Sequence, residues 1–146
     1  MKVKKAHTIG KNLVWVLIVL FTGWYAFFSI VRHIRYETFI FDLGYYDQIL
    51  WIVSHGKPFF SSIIGAHPWS DHFSPTFLLL TPLYLLHSSP LWLLLIQAVA
   101  LPLGGYPLYK LALLKTKSAF VSLSLAFSYM SFWGIMSAIS FDFHPL

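Results

Sequence analysis

The acids are few enough to be read one at a time. Of five Asp and Glu residues in 146, three (Asp42, Asp47 and Asp71) fall between Phe39 and Pro75, with three of the seven histidines. A carboxylate partly desolvated at a membrane surface can take a proton from a hydroxyl, so Asp42 or Asp47 could be a general base. Both also have a plainer use: Asp42 as the N-cap of a helix, Asp47 on its water-facing side. His67, Asp71 and His72 offer the imidazole and carboxylate ligands a divalent cation takes. Pro68 interrupts any helix that would space them regularly, and a polar interfacial turn is the simpler account. Lys57, Arg32 and Arg35 could hold a phosphate as point charges, or meet lipid headgroups. Asp142 and His144, in FDFHP, close the last apolar run. Facing inward they would be a functional site by default; among headgroups they would cost little.

Other chemistries find no residues here. The chain has no cysteine, which excludes disulfides and thiolate metal sites. It carries no phosphate-cradling glycine loop, nucleophile elbow or zinc-protease helix. The aromatics, 19% of the chain, suit an interfacial belt and packing rather than a cofactor box.

The elements that must position these residues are membrane helices. The chain is 58% hydrophobic and 10% charged, with a mean hydropathy of +0.69; soluble chains carry about 25% charged residues. Three long uncharged runs reach the ~18 residues that read as a membrane span. The net charge of +5 comes from lysines beside those runs, which points to topology and lipid phosphate rather than nucleic acid. Residues 1–12 form a basic tail and 13–31 the first span. Trp24, Tyr25, Phe27 and Phe28 stand where a signal peptidase needs small residues, so the span is an uncleaved anchor with a cytoplasmic N-terminus.

Residues 32–76 are then an external loop. Within it, Asp42 to Gly56 brackets a short amphipathic helix, with Leu43, Tyr46, Ile49, Leu50 and Val53 on its apolar face, expected to lie in the interface. Residues 77–87 are short and hold Pro82, which predicts a re-entrant half-span. The second span is 91–109, bent by Pro102, Gly104, Gly105 and Pro107. Lys110, Lys115 and Lys117 follow as a second cytoplasmic signature. The third span is 119–141, where Ser124, Ser128, Ser131, Gly134 and Ala138 make a small-residue stripe for close helix packing. The fold class is therefore an all-α integral membrane protein with three full transmembrane helices, a half-span and an interfacial helix. A four-span alternative would set the lysines outside and FDFHP opposite Asp42, against the charge bias.

The segments RHIRYETFIFDLGYYDQILWIVSHGKPFFSS, DHFSP, LLTPLY, GGYPLYKLA and FDFHP occur in this order from Arg32 to the end. Together they resemble the domain-of-unknown-function 2079 family of predicted membrane proteins, which is similar to the GT-C superfamily of multi-span glycosyltransferases. That resemblance implies sugar transfer from a polyprenyl-phosphate carrier on the non-cytoplasmic face of the cell membrane. It implies that Asp42 is the catalytic acid of the first external loop and that Asp142 matches an acid of the second. Lys57, Arg32 or Arg35 would meet the carrier phosphate. Asp47, His67, Asp71, His72 and His144 are the further substrate-binding candidates. The resemblance fixes no cofactor; a divalent cation is compatible with the ligands. The implied reaction is an inverting displacement without a covalent intermediate. The resemblance also implies that the chain is the N-terminal portion of a larger fold, completed by a C-terminal part, a partner chain or self-association. A non-catalytic membrane subunit or remnant, and a polyprenyl-phosphate binder or transporter, are the alternative readings.

Overall fold

The computed structural model describes residues 2–38, 40–70, 73–141 and 143. Seven α-helices occur among them: α1 (Lys2–Ile34), α2 (Tyr45–Ser54), α3 (Thr81–Leu86), α4 (Leu91–Leu103), α5 (Gly105–Thr116), α6 (Ala119–Met130) and α7 (Trp133–Ser140). Three helical stretches are long and apolar enough to cross a bilayer: Thr8–Ile34, Leu91–Thr116 and Ala119–Ser140. The protein is thus an all-helical membrane protein, as the uncharged runs predict. The first helix begins at Lys2, so the basic residues expected as a tail are helical.

The second stretch divides at Gly104, the bend its Pro and Gly residues foretell. Pro107 has no N–H to give the Leu103 carbonyl, and Pro102 sits in the last turn of α4. The third stretch, expected as one helix over 119–141, also divides. Ser131 ends α6, and Phe132 is extended (φ −62°, ψ 133°) before α7 starts.

A broken helix at membrane depth must satisfy its freed carbonyls internally. One tyrosine does so at the α6–α7 break, and a second adds a hydrogen bond to a carbonyl that already accepts the Gly104 N–H. Tyr25, on α1, donates its hydroxyl to the Met130 carbonyl that ends α6. Tyr129, on α6, donates to the Leu101 carbonyl at 3.1 Å, beside the α4–α5 division.

The direction of the bundle follows from its ends. Near the start of α1, a methyl group on Gly10 would fall 2.5 Å from the Tyr109 hydroxyl and 3.1 Å from the Ala119 side chain. Glycine lets α1, the end of α5 and the start of α6 approach closely there. At the far end of α1, the Arg32 guanidinium donates to the Ser140 carbonyl at the end of α7. The α6–α7 stretch therefore runs parallel to α1, and α4–α5 runs back between them. Lys11, Lys110, Lys115 and Lys117 gather at one end, called the basic end below. Helices α5 and α6 form a tight hairpin, turned by Lys117 in a left-handed conformation (φ 54°).

The expected small-residue stripe is not the packing surface. Ser124, Ser128, Ser131 and Ala138 are exposed, while Ala112, Ser122, Ala126 and Met130 are buried. On α6 the serine stripe lies roughly a hundred degrees or more away from Ser122 and Ala126, because 3.6 residues make a turn.

The other end carries a cap. Helices α2 and α3, the intervening loop and Phe143 share a core with Leu93 and Leu94 of α4, built from Leu43, Tyr45, Tyr46, Ile49, Leu50 and Tyr84. The short Pro75–Leu80 3₁₀ turn and α3 pack on α2. The predicted half-span is thus helical and supported by protein.

Candidate functional site

The cap positions its polar groups through α2. Four of the five residues assigned to its apolar face (Leu43, Tyr46, Ile49 and Leu50) are buried and Val53 is half-buried; Tyr45 and Ile52 are buried as well. Gly56 closes the helix with φ +60°, a conformation that favours glycine. Asp42 does not cap it. A wide π-helical turn, Ile40–Gly44, runs straight into α2, and the N-cap position belongs to Gly44, itself helical (φ −68°, ψ −33°) and without a side-chain hydrogen bond. No extended residue is left at which a side chain could cap. Asp42 is half-buried in that turn.

Asp47 has the more particular environment. The Tyr84 hydroxyl donates to its Oδ1 at 2.6 Å, linking α3 to α2. Burial pushes the Asp47 carboxyl above the ordinary carboxylate value; the Tyr84 hydrogen bond and the nearby His33 pull it back in part. Burial, together with the adjoining carboxylate, pushes the Tyr84 phenol far up, so it remains a donor. His33 lies in the last turn of α1, with Nδ1 3.3 Å from the Thr38 hydroxyl. Asp47 also falls in the first turn of α2, where the helix dipole favours a negative charge. A carboxylate so placed is a weaker acid than a free one, the direction of shift that suits a general base.

The residue beside it secures the loop. The buried Ser61 hydroxyl donates to Gln48 Oε1 at 2.7 Å, and Gln48 Nε2 donates to the Ser62 hydroxyl at 2.6 Å. Tyr45 donates to the Pro68 carbonyl at 2.6 Å. Its anchor leads to His67, whose Nδ1 accepts the Trp69 backbone N–H at 3.2 Å. His67 stands edge-on to Phe59 and Trp69, with ring centroids 5.0 and 5.7 Å apart.

The basic candidates separate. Arg32 reaches main chain: besides Ser140 it donates to the Glu37 carbonyl at 2.7 Å, and it sits 5.8 Å from the Phe28 ring. Arg35 and Lys57 are exposed. Asp71, His72, Asp142 and His144 lie outside the described residues. Among the described residues, no three His, Asp or Glu side chains gather as a metal site would need. Phe143, next in sequence to Asp142, packs on Tyr46 with centroids 5.7 Å apart, so the end of α7 reaches the cap that holds Asp47.

Two members of this cluster escaped the sequence reading. Tyr84 was the only phenol in the apolar stretch 77–87, and that isolation was its one available signal. His33 was hidden between two arginine positions read as phosphate contacts.

A family model described as a predicted membrane protein (DUF2079) matches residues 32–146. Comparisons with curated proteins and with solved structures returned no match.

Proposed function

Given that the chain belongs to the domain-of-unknown-function 2079 family of predicted membrane proteins, we propose that the cap is the acceptor-activating part of a glycosyltransferase using a polyprenyl-phosphate-linked sugar. The observation that carries this reading is the half-buried Asp47 carboxylate, held by Tyr84 and within the electrostatic reach of His33. The carboxylate removes the proton of an acceptor hydroxyl. The freed oxygen attacks the anomeric carbon, and the bond from that carbon to the carrier phosphate breaks, the phosphate leaving with the electron pair. Configuration inverts in the single displacement. Asp47 takes the base role in this proposal because its pKa is raised; Asp42, which the family resemblance marks for that role, is the alternative carboxylate. Arg35 and Lys57, both exposed, are the candidates for the carrier phosphate, while Arg32 clamps α1 to α7. Asp142 is the second acid implied by the resemblance. The cap then faces the outer side of the cell membrane and the lysine-rich end the cytoplasm, in keeping with the positive-inside bias.

The test is transfer from a panel of polyprenyl-phosphate hexoses by the full chain in proteoliposomes. Asn keeps an oxygen for the Tyr84 hydroxyl to donate to, so Asp47→Asn removes the base while preserving the hydrogen bond. Transfer is expected to fall by about 10²–10⁴-fold with that change. Full transfer by Asp47→Asn, with loss in Asp42→Asn, would return the role to Asp42. Full transfer by both variants would end the proposal. A second reading, a non-catalytic membrane subunit, draws on the exposed Ser124, Ser128, Ser131 and Ala138 stripe, a surface suited to another helix.

A further inference from the structure

The basic end contains a cleft to which the proposed transfer reaction gives no role. It lies between the start of α1 and the second half of α5, has a volume of about 370 Å³, and is lined by Thr8, Lys11, Tyr106, Tyr109, Lys110 and Leu113. A second hollow of about 360 Å³ adjoins it, sharing Lys110 and Leu113 and adding Leu114 and Lys117. Two ammonium groups thus flank a depression whose walls are aromatic and aliphatic. Lys110 Nζ stands 5.8 Å from the Tyr106 ring, which holds it at the rim. The floor is Tyr109, whose buried hydroxyl has no hydrogen-bond partner.

The charge pattern around the cleft is one-sided. No Asp or Glu occurs in residues 1–36 or 72–141, whereas Lys2, Lys4, Lys5, Lys11, Lys110, Lys115 and Lys117 all belong to these segments. Among the described residues, Lys11 and Lys110 therefore have no carboxylate at their own end of the bundle, and the cleft is open to a complementary charge from outside. Both lysines sit at the edge of helices long enough to span the bilayer, which is the depth of lipid headgroups. The aliphatic hollow beside them suits the first carbons of an acyl chain.

We infer that this cleft between α1 and α5 binds the phosphate of an anionic phospholipid from the leaflet at the basic end, with Lys11 and Lys110 as its ligands. A phosphate diester presents its charge between the two ammonium groups, and its glyceryl carbons lie over Tyr106 and Leu113. Selectivity comes from net charge: a zwitterionic lipid carries its own cation into a site already holding two. This role is independent of the transfer chemistry proposed for the cap.

Native mass spectrometry of the detergent-purified full chain, exchanged with phosphatidylglycerol or phosphatidylcholine, measures the retained lipid. One phosphatidylglycerol is expected to persist where phosphatidylcholine is lost. Lys11→Gln and Lys110→Gln should each weaken retention about fivefold, the scale of one lysine at a charged lipid surface. Lys115→Gln, which removes the same charge outside the cleft, should leave it unchanged, and Lys110→Arg should retain binding. Equal losses in all three Gln variants would reduce the effect to diffuse charge and overturn the site. Equal retention of both lipids would overturn it as well. Displacement of phosphatidylglycerol by millimolar inorganic phosphate would show that the cleft takes free phosphate, overturning the assignment to lipid.

Discussion

The two ends of the bundle spend their charges in opposite ways. At the cap, an acid stands half-buried beside a packed core with a phenol to hold it, so its ionisation answers to its surroundings. At the basic end, lysines stand at the rim of an open cleft with no acid in the neighbouring segments. In the proposals above, the first arrangement would serve proton transfer and the second a bound anion, which would set chemistry and anchoring at opposite ends of α1.

The strongest way to break this comparison is at Asp47. Asp47→Asn should lower transfer by about 10²–10⁴-fold while leaving lipid retention at the basic end intact; a parallel loss of both would show that the ends are not separate. Next comes Tyr84→Phe, which leaves the half-buried carboxylate without this donor. Thermal or denaturant unfolding in detergent should show a cost of about 1.5–3 kcal/mol, the range for a hydrogen bond to a charged group. The pH profile of transfer should also move upward, because the Tyr84 hydrogen bond lowers the Asp47 pKa.

At the basic end the corresponding change is steric. Gly10→Ala sets a methyl group against the Tyr109 hydroxyl and should destabilise the chain by about 1–3 kcal/mol. Because that hydroxyl has no partner, adding Tyr109→Phe should restore much of the loss. No rescue in the double variant would mean that the tight spot is Ala119 instead. Between the two ends, Tyr25→Phe strips the Met130 carbonyl of its donor, with an expected cost of about 1 kcal/mol; an unchanged melting curve would show that the carbonyl finds another donor.

The smallest effect concerns pH. The Asp47 pKa is raised in the folded chain above its ordinary 3.8, so the native state binds more proton than the unfolded one in the interval between the two values. The stability it contributes is complete below 3.8 and is lost as pH rises through the folded value. Melting temperature should fall across that interval, and Asp47→Asn should flatten the fall.

Fold class was legible because membrane spans announce themselves by length and absence of charge. The α4–α5 division was legible for the same kind of reason: Pro102 and Pro107 each lack an N–H. The α6–α7 division was not, since Ser131 and Phe132 carry no such mark, and the hydroxyl that meets the Met130 carbonyl there comes from Tyr25, 105 residues away. Asp47 and Asp42 could be picked out as scarce acids in an apolar chain. Ranking them required Tyr84, 37 positions further on, and periodicity carries no information about such a pair. The N-cap expected at Asp42 failed because the π-helical turn that precedes α2 already has helical backbone. The serine stripe shows that small residues at helical spacing define a face without saying which neighbour it meets.

The breaks in the two later stretches lie side by side. Met130, where one ends, would press on a methyl group placed at Gly105, where the other resumes, and a phenol bridges each of them. Through this level only α1 continues as an unbroken rod of 33 residues. The bundle is in effect two storeys threaded on a single mast: α4 and α7 above with the cap, α5 and α6 below with the lysines. The two phenolic hydroxyls fasten the storeys to one another at the level where both later stretches divide.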